Sequence, residues 1–352
     1  MMNILMCCSD LSYKGGMVSV VKGYLDYADK GDVDITFVPT HRDGSKATMA
    51  GFFARAFVRI VRMARRGEID VAHLHVSERG SFVRKGLLLR VLRRLGVKTV
   101  LHHHGAEFEQ YYAGASPRHK RFIERTMRLA DVNIVLSNRL VGMVKDKVPE
   151  ARVEVLYNAV AVPAENPYSP DNATDVMFLG RIGVRKGAYD LANVMAGLDH
   201  ELPEEVRFLY CGDGEEEGIE TIVDKYGLQH RVRHIGWVDG EAKEGFLADT
   251  MVNVLPSYNE GLPMTILETM ARGIPNISTR IASIPEVITD GTTGILIEPG
   301  DTEALSEAIR RIVADRGLRA RLSEASYSLV RDKFSIDTAF ARLASIYRSL
   351  LS

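Results

Sequence analysis

Asn158-Ala159-Val160-Ala161-Val162-Pro163-Ala164-Glu165-Asn166-Pro167-Tyr168-Ser169-Pro170-Asp171-Asn172-Ala173-Thr174-Asp175-Val176-Met177-Phe178-Leu179 is the stretch on which the fold turns. Pro163, Pro167 and Pro170 each fix φ and remove a backbone donor, so neither helix nor ladder runs through them. Directly afterwards Val176 to Leu179 resumes as a short apolar run bounded by glycine, which reads as a buried strand. One folded unit ends here and another begins.

Upstream, Ile4 to Cys8, Ile35 to Val38, Val71 to His75, Thr99 to His103, Val132 to Leu136 and Val153 to Leu156 alternate with longer amphipathic segments. Downstream the rhythm repeats through Val206 to Cys211, Val232 to Ile235, Val252 to Leu255, Asn276 to Ser278 and Gly294 to Ile297. Strand, helix, strand in steady alternation is the pattern of a parallel sheet. A chain of 352 residues, at roughly 100–200 residues per domain, makes two. The expected fold is α/β, with two Rossmann-like doubly wound domains facing across a cleft, split at residue 160. Ligands of such sheets bind beyond the carboxyl ends of the strands, so the loops that follow strands are the ones to read.

The net charge of -1 conceals an asymmetry: residues 1–160 carry 26 Lys/Arg against 16 Asp/Glu, and the remainder 19 against 30. The first half either meets an anionic partner or attracts the second. Its predicted helices Ala50 to Arg66 and Ser81 to Leu95 mix apolar residues such as Phe53, Phe57, Ile60, Leu88 and Leu92 with Arg55, Arg59, Arg62, Arg84, Lys85 and Arg90. Such helices suit an anionic membrane surface, or else pack their apolar face and leave the arginines in water. Without aromatic platforms or a nucleic-acid motif, no nucleic acid is expected as partner.

Cys7, Cys8 and Cys211 sit in apolar runs and read as buried free thiols of a reducing compartment. No leader or spanning segment is apparent, so a cytoplasmic protein is expected, with peripheral attachment to the inner membrane face as its one membrane contact. Asn172-Ala173-Thr174 would be a glycosylation acceptor only in a secreted chain.

The most informative motif is Leu255-Pro256-Ser257-Tyr258-Asn259-Glu260-Gly261-Leu262-Pro263-Met264-Thr265-Ile266-Leu267-Glu268, which leaves a strand and opens a helix. Pro263 suits the first helical turn. Amides around Gly261 to Thr265 are then free to hold phosphate, helped by the helix dipole. Glu260 and Glu268 are eight positions apart and able to address one extended ligand, carboxylates being good acceptors for sugar hydroxyls.

With this motif the chain resembles the retaining glycosyltransferases of family four, whose architecture is called GT-B. The resemblance extends to Phe178-Leu179-Gly180-Arg181-Ile182-Gly183-Val184-Arg185-Lys186-Gly187, to Tyr13-Lys14-Gly15-Gly16-Met17 and to His102-His103-His104-Gly105. It implies that Glu260 holds the transferred sugar and Glu268 the ribose, while amides from Leu262 through Pro263 and Met264 to Thr265 hold phosphate. Arg181 and Lys186, beside Gly180, would grip the diphosphate, and Gly15 and Gly16 would bring amides toward donor phosphate and acceptor. His104 would lie beside the donor sugar, and the loops at Gly212 and Val238 would frame the base. Alternation turns His103 away from its neighbours, and no metal or other cofactor is implied. Asp32-Val33-Asp34 enters a strand from the wrong end to serve as a metal motif.

The resemblance also sends the last segment, 335–352, back onto the first domain (1–160), leaving 161–334 as the nucleotide-sugar domain. It implies transfer with retention from a nucleotide-sugar donor, UDP favoured over GDP, to a glycan such as a lipid-linked surface polysaccharide intermediate. A GT-B sugar-nucleotide epimerase and a non-catalytic nucleotide-sugar scaffold are the alternatives.

Overall fold

A computed structural model of the chain describes every residue except Asn172, so the Asn172-Ala173-Thr174 reading lies outside the described residues. The chain divides into two compact units, one of Met1–Ala159 with Ile336–Ser352 and one of Val160–Ser335. In the first, strands β1 (Met2–Cys7), β2 (Val33–Phe37), β3 (Val71–Val76), β4 (Lys98–His103), β5 (Val132–Val135) and β6 (Val153–Val155) form a sheet of order β2-β1-β3-β4-β5-β6. In the second, β7 (Asp175–Leu179), β8 (Arg207–Cys211), β9 (Val232–Gly236), β10 (Thr250–Leu255), β11 (Asn276–Thr279) and β12 (Ile295–Ile297) run β12-β11-β10-β7-β8-β9. Every pairing is parallel. All twelve apolar runs named from the sequence are strands, with ends shifted by a residue or two.

The strand orders locate the sites. Each sheet reverses direction once, at β1/β3 in the first unit and at β7/β10 in the second, and a doubly wound sheet opens a crevice at that reversal. β3 and β10 are buried along their whole length, as expected of central strands covered by helices on both faces. On one face of the first sheet Leu5, Cys7, Leu74, Val76 and Leu101 join Ile60, Leu88, Leu92 and Ile123 from the flanking helices in one core. Each such side chain contributes about 1.5–3 kcal/mol through burial.

The Ile336–Leu351 helix packs on the opposite face: Tyr347 Oη lies 2.5 Å from His73 Nδ1, and Arg348 pairs with Asp32 at 2.6 Å. Asp32 of the Asp32-Val33-Asp34 run is thus engaged in holding this helix. The proline stretch belongs to the second unit, where Tyr327 Oη donates to the Pro163 carbonyl and Arg319 to that of Pro170. Cys7, Cys8 and Cys211 are free and buried. Among the described residues no helix is long and apolar enough to cross a membrane.

The two basic helices behave differently. In Lys46–Arg65, Ala56, Ile60 and Ala64 face the core, whereas Arg55, Arg59, Arg62 and the following Arg66 line a broad groove on the outer side with Val58 and Met63. In Gly80–Arg94 the cations divide between engaged, enclosed and exposed ones. Arg90 lies 4.0 Å over the Phe122 ring, Arg93 pairs with Asp131 at 2.6 Å, and Lys85 is fully buried. Packing around the Pro117–Leu129 helix thus engages Arg90 and Arg93 and the fold encloses Lys85, while Leu87 and Arg94 stay exposed.

Candidate active site

In the second unit three loops converge beyond the ends of β7, β8 and β10. Backbone bonds join them: Gly180 N–H to the Cys211 carbonyl (3.0 Å), Ile182 to Asp213 (2.8 Å), Glu215 to Ile182 (3.1 Å) and Tyr258 to Arg185 (2.9 Å). Glycine is required where the loops touch. A Cβ at Gly212 would lie 1.9 Å from the Gly180 oxygen, and one at Gly187, whose φ is +69°, would lie 2.2 Å from the Pro256 oxygen. The loops are thereby fixed to one another before any ligand arrives, which lowers the ordering cost of binding.

On this frame Lys186 Nζ is paired with Glu260 Oε1, which also accepts from Ser257 Oγ at 2.9 Å. The two side chains are 13% and 7% exposed, so the pair is largely out of water. Glu268, in the Met264–Met270 helix, faces Lys243 at 3.3 Å. Arg185 donates to the Asn259 carbonyl at 3.0 Å, steadying the segment that carries Glu260. Arg181 is exposed, and its guanidinium has no carboxylate partner among the described residues. Val238 is buried, next to the exposed Trp237, whose Nε1–H donates to Asp239.

Pro263 caps the Met264–Met270 helix from an extended conformation, φ -69° and ψ 124°, instead of standing inside its first turn. The helix starts one residue later than its proline suggested, because ψ at Pro263 continues the incoming loop. Glu268 is the fifth helical residue, about 6 Å along the axis from Met264. Thr265 Oγ1 is buried with no partner among the described residues, at the helix opening where Leu262 to Thr265 were expected to meet phosphate.

In the first unit Gly15 caps the Gly16–Asp26 helix, and a Cβ built on it would meet nothing within 4 Å. Packing therefore does not demand the glycine, and the space before it is open. His104 follows β4, held by its N–H to the Val76 carbonyl at 2.8 Å. His103 turns to the other face and bonds Asn133, as alternation requires.

The sequence reading missed the partners of His104. His73 and His75, alternate residues of β3, share a face with His102 and His104. His75 Nδ1 is 2.8 Å from His104 Nε2, His73 Nε2 is 3.0 Å from His102 Nδ1, and the His75 and His104 ring centres are 5.0 Å apart. The signal was the alternation in Val71-Ala72-His73-Leu74-His75-Val76, but only the β3–β4 pairing brings the rings together. Burial pushes His73 and His104 down to about 3, the neighbouring imidazoles and Lys85 adding to the effect at His104. These rings are neutral at physiological pH and present hydrogen bonds, not charge. Ligand atoms of His73, His75 and His102 lie within 4.8 Å of one another, but hydrogen bonds to Tyr347 and among the rings already occupy several of the nitrogens.

A family model described as glycosyl transferases group 1 matches residues 164–329, and one described as glycosyltransferase family 4 matches residues 15–162. The lipopolysaccharide core biosynthesis glycosyltransferase LpsE of Rhizobium meliloti is 37% identical over 177 residues, half of this chain and half of LpsE. The chain thus spans about half the length of that relative. Among solved structures, sucrose-phosphate synthase of Thermosynechococcus elongatus superposes with TM-score 0.79 at 20% identity, covering 100% of this chain and 99% of that one. HepE of Anabaena, in complex with UDP, gives 0.75 at 17% identity, covering 99% and 100%. The matched models span both units and the solved neighbours share both sheets, so the chain belongs to glycosyltransferase family four and has the GT-B fold.

Proposed function

We propose that the protein is a retaining, metal-independent glycosyltransferase that moves a sugar from a UDP-sugar to a glycan acceptor. The observation that carries this reading is the Lys186–Glu260 pair on loops that backbone bonds lock together at the β7/β10 reversal, with Arg181 on one of these loops and Glu268 on the helix that follows the other. When the bond between anomeric carbon and phosphate breaks, the departing diphosphate gains negative charge, and cations fixed in advance stabilise it. Arg181 and Lys186 take that role, Glu260 orients the sugar hydroxyls, Glu268 holds the ribose, and the amides of Leu262, Met264 and Thr265 hold phosphate. Gly180 and Gly212 admit the nucleotide closely, and Val238 borders the base.

His104, neutral and tied to His75, hydrogen-bonds the transferred sugar, while Gly15 and Gly16 leave room for substrate. The acceptor hydroxyl attacks from the face the diphosphate leaves, and its proton passes to the departing phosphate oxygen. No side-chain base and no metal ion are then required. The UDP bound to HepE supports uridine as the base, and the lipopolysaccharide core role in the name of LpsE supports a surface-glycan acceptor; a lipid-linked acceptor at the cytoplasmic face of the membrane completes the proposal. The outer arginines of the Lys46–Arg65 helix would hold the protein at an anionic membrane.

Thermal unfolding with UDP, GDP, ADP and TDP tests the donor site. A nucleotide at 100 times its Kd adds about 2.7 kcal/mol to the folded state, a rise of about 5–10 °C for a unit of this size. A rise with UDP alone is expected, and no rise with any nucleotide refutes the reading. A donor whose sugar isomerises without acceptor would instead identify an epimerase.

A further inference from the structure

Two cations near the start of the Gly80–Arg94 helix turn inward. Lys85 is fully buried, and its one hydrogen bond among the described residues is to Ser81 Oγ at 3.5 Å. Burial pushes its ammonium down to about 8, and the nearby Cys7 and Cys8 thiols, themselves pushed up by burial, stay neutral and offer no counter-charge. Arg84 has its Nε enclosed without a partner and no carboxylate within ion-pair reach among the described residues. An enclosed charge without a counter-ion favours the uptake of an anion.

Arg84 lines a pocket of about 400 Å³ with Ser9, Gly15, His41, Glu78 and Ser81. The pocket lies wholly within the first unit, at the β1/β3 reversal of its sheet. Two helices, Gly16–Asp26 and Gly80–Arg94, open onto it. Glu78, an acid on its wall, is turned aside: its Oε1 accepts from the Glu107 N–H at 2.7 Å and lies against Gly105. The pocket thus combines a fork of guanidinium donors, a positive charge behind its wall at Ser81 and two helix starts, the combination that recognises an oxyanion.

We propose that this pocket binds the phosphate or carboxylate of the acceptor, with Arg84 in direct contact and Lys85 as the charge behind the wall, so that the enzyme selects acceptors bearing an oxyanion. This rests on the glycosyltransferase reading and adds the acceptor class to it. The donor diphosphate is the other possible source of such a group, but it has its own cations, Arg181 and Lys186, in the second unit.

Inorganic phosphate is titrated calorimetrically into the full chain, with and without saturating UDP, for the wild type, Arg84→Gln, Arg84→Lys and Lys85→Met. The wild type should bind phosphate in both conditions. Arg84→Gln should bind at least tenfold more weakly and Arg84→Lys should recover part of the loss, while Kd for UDP stays within twofold. Lys85→Met should show the same loss, and Arg84→Gln carries the test if that buried variant does not fold. Phosphate binding abolished by UDP, or UDP weakened in Arg84→Gln as much as phosphate, assigns the cations to the donor and overturns the proposal. So does a phosphate affinity that Arg84→Gln leaves unchanged, or none in the wild type. If UDP fails to bind, the donor reading falls, while the phosphate titration still reports on this pocket.

Discussion

Replacing Lys186 by Met separates what the Lys186–Glu260 pair does for stability from what it does for chemistry. The substitution keeps the aliphatic stem but leaves the Glu260 carboxylate, 7% exposed, with Ser257 Oγ as its remaining partner. Removing one member of a buried ion pair costs about 3–5 kcal/mol, mostly the penalty on the charge left behind. The retained serine bond places the loss near 3 kcal/mol, or roughly 6–12 °C in the unfolding of a unit the size of Val160–Ser335. Differential scanning calorimetry should show the drop in the transition that carries the Val160–Ser335 unit. The double variant Lys186→Met/Glu260→Gln, with no uncompensated charge, should regain most of it. Turnover should fall at least tenfold in both variants, about 1.4 kcal/mol of transition-state stabilisation that the neutral pair cannot restore. A single variant melting within about 1 °C of wild type would refute the burial argument, and normal turnover in the double variant would refute the chemical one.

Glu268→Ala should weaken UDP binding at least tenfold and reduce turnover, with less than about 1 kcal/mol lost in stability because its contact with Lys243 is partly solvated; unchanged UDP affinity in calorimetry would remove Glu268 from the site. Acid should destabilise the first unit: burial holds His73 near 3 and His103 near 4 against an ordinary 6.5, so the unfolded chain takes up protons first. Stability is full above pH 6.5 and declines below it, by about 2 kcal/mol per such histidine at pH 5, and a urea midpoint unchanged between pH 7 and pH 5 would contradict this. Vesicles of anionic lipid should sediment the protein at low salt and release it at high salt, each arginine of the Lys46–Arg65 helix contributing about 1 kcal/mol. Substituting Arg55, Arg59, Arg62 and Arg66 by Gln should abolish sedimentation, and wild-type sedimentation by that variant would move the membrane contact elsewhere.

What could be read along the chain was what depends on neighbours in sequence. The twelve strands follow from apolar runs between amphipathic segments, the division near residue 160 from three prolines that no regular element accommodates, and the resemblance to family four from spacings such as Glu260 to Glu268. Local steric and periodic rules act over a few residues, so they leave their mark in the order of the letters. The prolines end the strand rhythm yet pack on the Arg316–Lys333 helix, over 140 residues away, which no local rule reveals.

Tertiary structure decided what depends on which strands become neighbours. Parallel pairing of β3 with β4 stacks His73 and His75 against His102 and His104. The reversal at β7/β10 brings Lys186 to Glu260, 74 positions on, and the pairing of β7 with β8 makes Gly212 indispensable through a backbone oxygen 32 positions earlier. Helical periodicity alone left Lys85 among the surface cations, whereas the sheet and the neighbouring helix enclose it completely. Burial sets the charge state of an imidazole or an ammonium, and it is a property of the assembled layers, which the sequence encodes only through the fold as a whole.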